Sequence, residues 1–247
     1  MVTAYPVTGK RKSFDVCLAF ARGAGGQIAA AYRPGPAAFY GVDASNIEIW
    51  RQVRANGDDY WYIDNSVFDS ARQTYFRVAK NRLQHDGIDV SDGARFRALN
   101  IPIAPWRERG EHIVLCPQSE SFMRFAGYAG DWTADTVAAL RQLTDRDIHV
   151  RKWSADKGRL AATLADDLRG AHALVTYSSA AAVTAVLAGV PVVTMWQCVA
   201  APMAGSIEQI NNLPMPAREN WAGVLADREW NLAEMANGTA WKALLNE

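Results

Sequence analysis

The chain has 247 residues, enough for one large domain or two small ones with a real interior. Lys plus Arg and Asp plus Glu number 26 each, so no global field attracts nucleic acid, and such a partner would need a local basic patch. No apolar run reaches membrane-spanning length, the start lacks an apolar signal segment, and three cysteines and four histidines show no zinc spacing. The expectation is a soluble, cytoplasmic protein with no metal and no membrane partner.

In chain order, residues 14–20 (FDVCLAF) read as a first buried strand. Residues 21–26 (ARGAGG) read as a turn in which Gly25 and Gly26 let backbone approach a ligand, though they do not match G-x-G-x-x-G. A helix is expected to begin at residues 27–32 and to stop at Pro34 and Pro36. Residues 37–42, 47–50 and 60–63 read as strands, the last ending at Asp64 and Asn65, and 74–80 (TYFRVAK) alternate as another. Residues 86–109 have loop composition with several basic groups and link two halves, 1–109 and 110–247.

The second half is more regular. Residues 112–116 (HIVLC) form a strand before the polar turn 117–121, a helix capped by Thr133 covers 133–143, and a strand covers 148–151. An amphipathic helix covers 160–168. Residues 171–194 then read as strand, polar turn, small-residue helix, Gly189-Val190-Pro191 turn and strand, with Ser178 and Ser179 as caps. Strand and helix alternate, which implies parallel sheets with helices on both faces. A helical tail follows, with Trp221, Trp230 and Trp241 as packing anchors. Cys17 and Cys116 lie in apolar runs and read as small core residues.

Several groups carry candidate chemistry. The turn at Tyr177, Ser178 and Ser179 offers amides and hydroxyls to an anion such as a pyrophosphate. Gln118, Ser119 and Ser121 follow a strand at its carboxyl end, where ligands of open α/β sheets collect. Arg151 and Lys152 follow another strand and can neutralise a departing diphosphate, or lie as solvated charges. Asp64 ends an aromatic strand and suits a general base, or closes an Asx turn. Arg72, Arg77, Lys80 and Arg82, with Tyr75 and Phe76 between them, can track a phosphate backbone or an anionic glycan, or form a solvated face.

The segment 171–194 resembles the nucleotide-sugar domain of two-domain, GT-B-type glycosyltransferases. Tyr62–Asn65 (YIDN), YFRVAKNRLQ at 75–84, IVLCPQSE at 113–120 and the tail Trp221, Leu225, Trp230, Leu232, Glu234, Met235, Gly238, Ala240 and Trp241 resemble a family of compact GT-B-like proteins found in bacteriophage genomes. That resemblance covers residues 60–241 and implies an α/β fold of two Rossmann-like halves with parallel sheets and a helical C-terminal tail. The first half would be acceptor-side and the second would bind the donor. It implies a nucleotide-sugar donor, a UDP-sugar, and metal-independent transfer in the host cytoplasm. Such proteins glycosylate capsule polysaccharides or hydroxymethylated pyrimidines in double-stranded phage DNA. Residues 192–198 lack the family's ribose-binding carboxylate, and Glu208 with Gln209 is the nearest substitute. The basic-aromatic run favours the DNA acceptor. A capsule or surface glycan, and a non-catalytic nucleotide- or DNA-binding protein, are the alternatives.

Overall fold

The computed structural model describes residues 1–68, 74–84, 89–151, 163–195 and 197–245. The chain divides into two compact units, Met1–His85 with Leu225–Glu247, and Asp86–Val224. The C-terminal segment thus belongs to the first unit, whereas a division at 109/110 assigns it to the second.

The first unit opens with β1 (Thr3–Ala4), α1 (Arg11–Gly23), β2 (Gln27–Ile28), β3 (Ala37–Tyr40), α2 (Ile47–Ala55), β4 (Tyr60–Asn65) and β5 (Tyr75–Lys80). The second contains α3 (Ala94–Ala98), β6 (His112–Cys116), α4 (Glu120–Phe125), α5 (Trp132–Arg141), β7 (Asp147–Val150), α6 (Leu164–Asp167), β8 (Ala171–Thr176), α7 (Ala181–Leu187), β9 (Val192–Thr194) and β10 (Ala204–Gly205). After α8 (Glu219–Asp227), β11 (Glu229–Asn231), α9 (Leu232–Ala236) and α10 (Thr239–Leu244) complete the first unit.

The second unit's five-stranded sheet has the order β10-β9-β8-β6-β7, with every pairing parallel. Its central strands are buried on both faces, which is why they read as unbroken apolar runs: Ile113, Val114, Leu115, Leu174 and Val175 are all inaccessible. Asp131, not Thr133, caps α5 by accepting from the Thr133 and Ala134 amides. Past α7, Gly189 has φ +75°, and a Cβ there would lie 2.0 Å from the Pro105 carbonyl oxygen. The linker segment packs on that helix end through Ala104 N–H to Leu187 O and Arg107 N–H to Gly189 O.

The first unit's six-stranded sheet has the order β11-β5-β4-β3-β1-β2. The pairings among β1, β2, β3 and β4 are parallel, while β5 and β11 add antiparallel edge strands. Three expectations fail here. Residues 14–20 belong to α1, whose buried Ser13, Val16, Cys17 and Phe20 follow helical, not strand, spacing. Residues 47–50 begin α2, which buries Trp50 and Val53 one turn apart. The segment after Gly26 is the short strand β2, not a helix.

One sheet face packs on α1, α9 and α10 around Phe20, Trp61, Ile63, Phe76, Trp230 and Met235. Trp241 meets Trp61 at 4.8 Å and Phe20 at 5.9 Å between ring centroids. The tail tryptophans are therefore packing anchors, and Trp221 is one too, donating from Nε1 to the Val199 carbonyl in the second unit. All three cysteines are buried with no disulfide among the described residues, and burial pushes the Cys17 and Cys116 thiols up to about 12.

Candidate functional site

Each sheet has a topological switch point, where consecutive crossovers leave in opposite directions and a crevice opens beyond the strand ends. In the second unit it lies between β6 and β8, which are neighbours although β7 separates them in sequence. The turns following these two strands are 117–119 and 177–180, so the fold brings the two expected donor-binding segments together. Thr176 Oγ1 donates to Cys116 O at 2.8 Å, tying the strand ends. β7 flanks β6, and Arg151 N–H continues that ladder to Leu115 O. Arg151 therefore also stands at this edge.

The individual groups are not equally available. Ser119 caps α4, accepting from Phe122 N–H, and its hydroxyl lies 3.1 Å from that of Ser121. Gln118 is half-buried at the same turn. Ser178 is buried, and its only proton goes to the Gln197 carbonyl, so it has none to donate to a phosphate in this state. The Ser179 amide donates to Thr176 Oγ1, which removes one amide from the expected anion nest. The Ser179 hydroxyl accepts from Ala181 N–H and keeps its proton for a ligand. The N-cap position of α7 is Ala180.

Tyr177 is turned into the core, where its ring meets those of Phe122, Tyr128 and Trp132. Arg151 is paired with Asp167. Glu208 stands on a short 3-10 turn after β10, at the far edge of the sheet. Hydrogen bonds from Ser206 and its own amide hold its carboxyl below the usual range. Gln209 is committed to Ser206 through a capping box. Lys152 and Arg72 lie outside the described residues.

In the first unit, Asp64 and Asn65 end β4 at the carboxyl edge. Asp64 Oδ1 accepts from Asn65 N–H and Oδ2 from Arg77, its cross-strand partner. Asn65 Oδ1 also accepts from Lys12 Nζ at 2.7 Å and Tyr40 OH at 2.8 Å. Burial lowers the Lys12 ammonium from its ordinary value against the opposing pull of Asp64, and burial raises the Tyr40 phenol. Lys12 and Tyr40 were not identified from sequence. The only hint was helical spacing placing Lys12 in a first turn.

Among its described residues, the basic run does not form an exposed stripe. The Arg77 side chain is 12% exposed and committed to Asp64. Lys80 pairs with Asp59 at 3.2 Å and sits over the Trp61 ring. Arg77 and Lys80, three residues apart on a strand, point to opposite faces, and Arg82 is exposed just past β5. Gly25 and Gly26 are also misplaced for a ligand. Their turn enters β2 at the amino edge, and a Cβ on Gly26 would lie 2.0 Å from Val2 O, so close packing on β1 accounts for that glycine.

The loop leaving β1, residues 5–10, was also missed. With the ends of β2 and the start of α2, it borders an open cavity of about 390 Å3 lined by Tyr5, Thr8, Lys10, Phe14, Ile28 and Ser45 among others. This is the first sheet's own switch point, between β1 and β3. Among the described residues, no three His, Cys, Asp or Glu side chains cluster as metal ligands, and no helix is long and apolar enough to cross a membrane.

Two Rossmann-like halves, one on an all-parallel sheet and the other on four parallel strands with two antiparallel edge strands, fit the GT-B-like class of fold. The chain is similar in structure to Thermosulfurimonas dismutans KpsC in its beta Kdo 2,7 transferase, with TM-score 0.61 and 12% identity over 100% of this chain and 99% of that one. It is also similar to the beta Kdo 2,4 transferase of the same protein, with TM-score 0.54 and 14% identity over 91% and 89%. No family model and no curated protein matches the sequence.

Proposed function

We propose that the protein is a glycosyltransferase that moves a sugar from a nucleotide-activated donor to a hydroxyl of a surface or capsule glycan. The observation carrying this reading is the end-to-end likeness in fold to a Kdo transferase. The same likeness, with Arg77 buried in an ion pair, moves the acceptor away from phage DNA. In this reading the donor diphosphate lies along the second sheet's carboxyl edge against Gln118, Ser119, Ser121 and Ser179. Arg151, with Lys152 next in sequence, meets the charge that develops on the leaving phosphate. The bond from anomeric carbon to donor phosphate breaks with its electron pair going to phosphate. The acceptor oxygen bonds to that carbon, and Asp64 takes its proton.

The test is incubation with a panel of nucleotide sugars, a nucleotide-activated Kdo included, and with oligosaccharide acceptors. Products are read by mass spectrometry, with and without chelator. Transfer to an oligosaccharide is the expected result. No nucleotide release from any donor, with or without divalent metal, sinks the reading. Transfer only to hydroxymethylated duplex DNA restores the DNA acceptor.

A further inference from the structure

The open cavity at the carboxyl edge of the first sheet has no part in the donor chemistry just described, and its lining is of a distinct kind. Its volume, about 390 Å3, falls within the range of small-molecule pockets. It lies at a switch point, where the sheet's own topology opens a crevice. Its floor is braced: Thr8 N–H bonds to Ser45 Oγ, Val7 N–H to Ser13 Oγ, and Asn46 Nδ2 to Tyr5 O. The walls are apolar, with Phe14 43% exposed beside Ile28 and Ile49. No carboxylate lines it, and its two charged lining residues are Lys10 and Arg11. Arg11 is paired with Asp15 at 2.8 Å, whereas Lys10 has no ion-pair partner among the described residues. The first turn of α1, which borders the cavity, has neither an acidic residue nor a capping side chain, so its positive end adds to the same field.

We propose that this cavity binds an oxyanion carried on a sugar-sized body, either the carboxylate of a sugar acid or a phosphate monoester, with Lys10 as the principal cation. A ring of that size covers Phe14 and Ile28 while its anion meets Lys10 and the α1 start. That the bound molecule is the acceptor rests on the glycosyltransferase reading; the anion site itself does not.

The experiment is ligand-observed NMR titration of the full chain with glucuronate, glucose 1-phosphate and glucose. It is run on wild type, Lys10→Gln and the cavity-filling Ala30→Trp, with a parallel titration of free nucleoside diphosphates. One or both anionic probes should bind, which identifies the anion, while glucose does not. Lys10→Gln should weaken that binding about tenfold or more, as for a lost charge-assisted hydrogen bond. Ala30→Trp should abolish it, and nucleotide binding should be unchanged in both variants. Equal binding of glucose, no binding of either anion by wild type at millimolar concentration, or anion binding unaffected by either variant overturns the proposal. If sugar transfer and nucleotide release from every donor are absent but anion binding depends on Lys10, the glycosyltransferase reading falls and the cavity inference stands. The reverse result removes the cavity inference alone.

Discussion

The two sheets share an ordering, in which the first strand of each lies between its second and third, yet they equip their carboxyl edges differently. The second unit offers hydroxyls and an amide side chain, with Arg151 at that edge already paired to Asp167. The first offers a largely apolar open cavity with Lys10 in its lining and, along the same edge, the Lys12–Asn65–Tyr40 cluster beside Asp64. A hydroxyl-lined edge suits a polyanion that brings its own shape. A cation beside an apolar wall suits a smaller molecule with one charged end. The topology fixes where ligands go, and a few loop residues decide which chemistry each edge accepts.

The largest effect that would separate the edges is on rate. If Asp64 is the base, Asp64→Asn should lower kcat by about 100- to 10,000-fold with donor affinity unchanged. Because the substitution also removes the charge facing Arg77, urea unfolding should be measured alongside. A fall in kcat no larger than the change in folded fraction would assign Asp64 to structure.

Next in size is a core truncation. Trp230 is 2% exposed in the first unit, and Trp230→Ala should cost about 3–5 kcal/mol. Amide exchange should then speed up in β3, β4 and β5 more than in β6 and β8, since Trp230 packs in the core of the first unit. Uniform loss of protection would mean the two units unfold as one.

A smaller effect is expected at the hydroxyl-lined edge. Ser119→Ala combined with Ser179→Ala should weaken nucleotide binding by about 1–3 kcal/mol by calorimetry. Anion binding at the first sheet should not change. Unchanged nucleotide affinity with the fold intact would move the donor elsewhere.

The difference between the units also explains which parts of the fold could be read from sequence. The runs HIVLC and AHALVT are buried on both faces and are bounded by turn residues, which suits short strands of a parallel sheet. FDVCLAF and IEIW are equally apolar but belong to helices. Over so few residues strand and helix periods overlap, and only the wider spacing of Ser13, Val16, Cys17 and Phe20 separates them. Misreading α1 hid the loop before it, and with it Lys10 and Lys12. That residues 117–119 and 177–180 each follow a strand at its carboxyl end was legible, but that they are neighbours follows from the strand order, which local pattern does not encode. That Ser178 spends its proton on Gln197, or that Arg77 pairs with Asp64, depends on contacts between distant segments that local pattern does not encode.

The smallest predicted effect is acid sensitivity confined to one unit. The described histidines, His112, His149 and His172, all lie in the second unit. His172 is buried on β8, with Nε2 2.7 Å from Ile210 O and Nδ1 without a partner. Protonation would place a second N–H where no acceptor waits. Burial accordingly lowers its pKa, with Arg146 adding to the shift and the Ile210 bond opposing it. A lowered folded-state value means that the unfolded chain binds the extra proton more readily. His172 therefore costs no stability above the ordinary imidazole value of about 6.5, and acid destabilises the fold as pH falls below it toward the folded value. Urea midpoints at about pH 7.5, 6.5 and 5.5 should decline, and the decline should be shallower in His172→Gln. Parallel declines in wild type and variant would show that His172 keeps an ordinary pKa. Protection lost first in β3 and β4 on acidification would reverse the assignment of acid sensitivity between the two sheets.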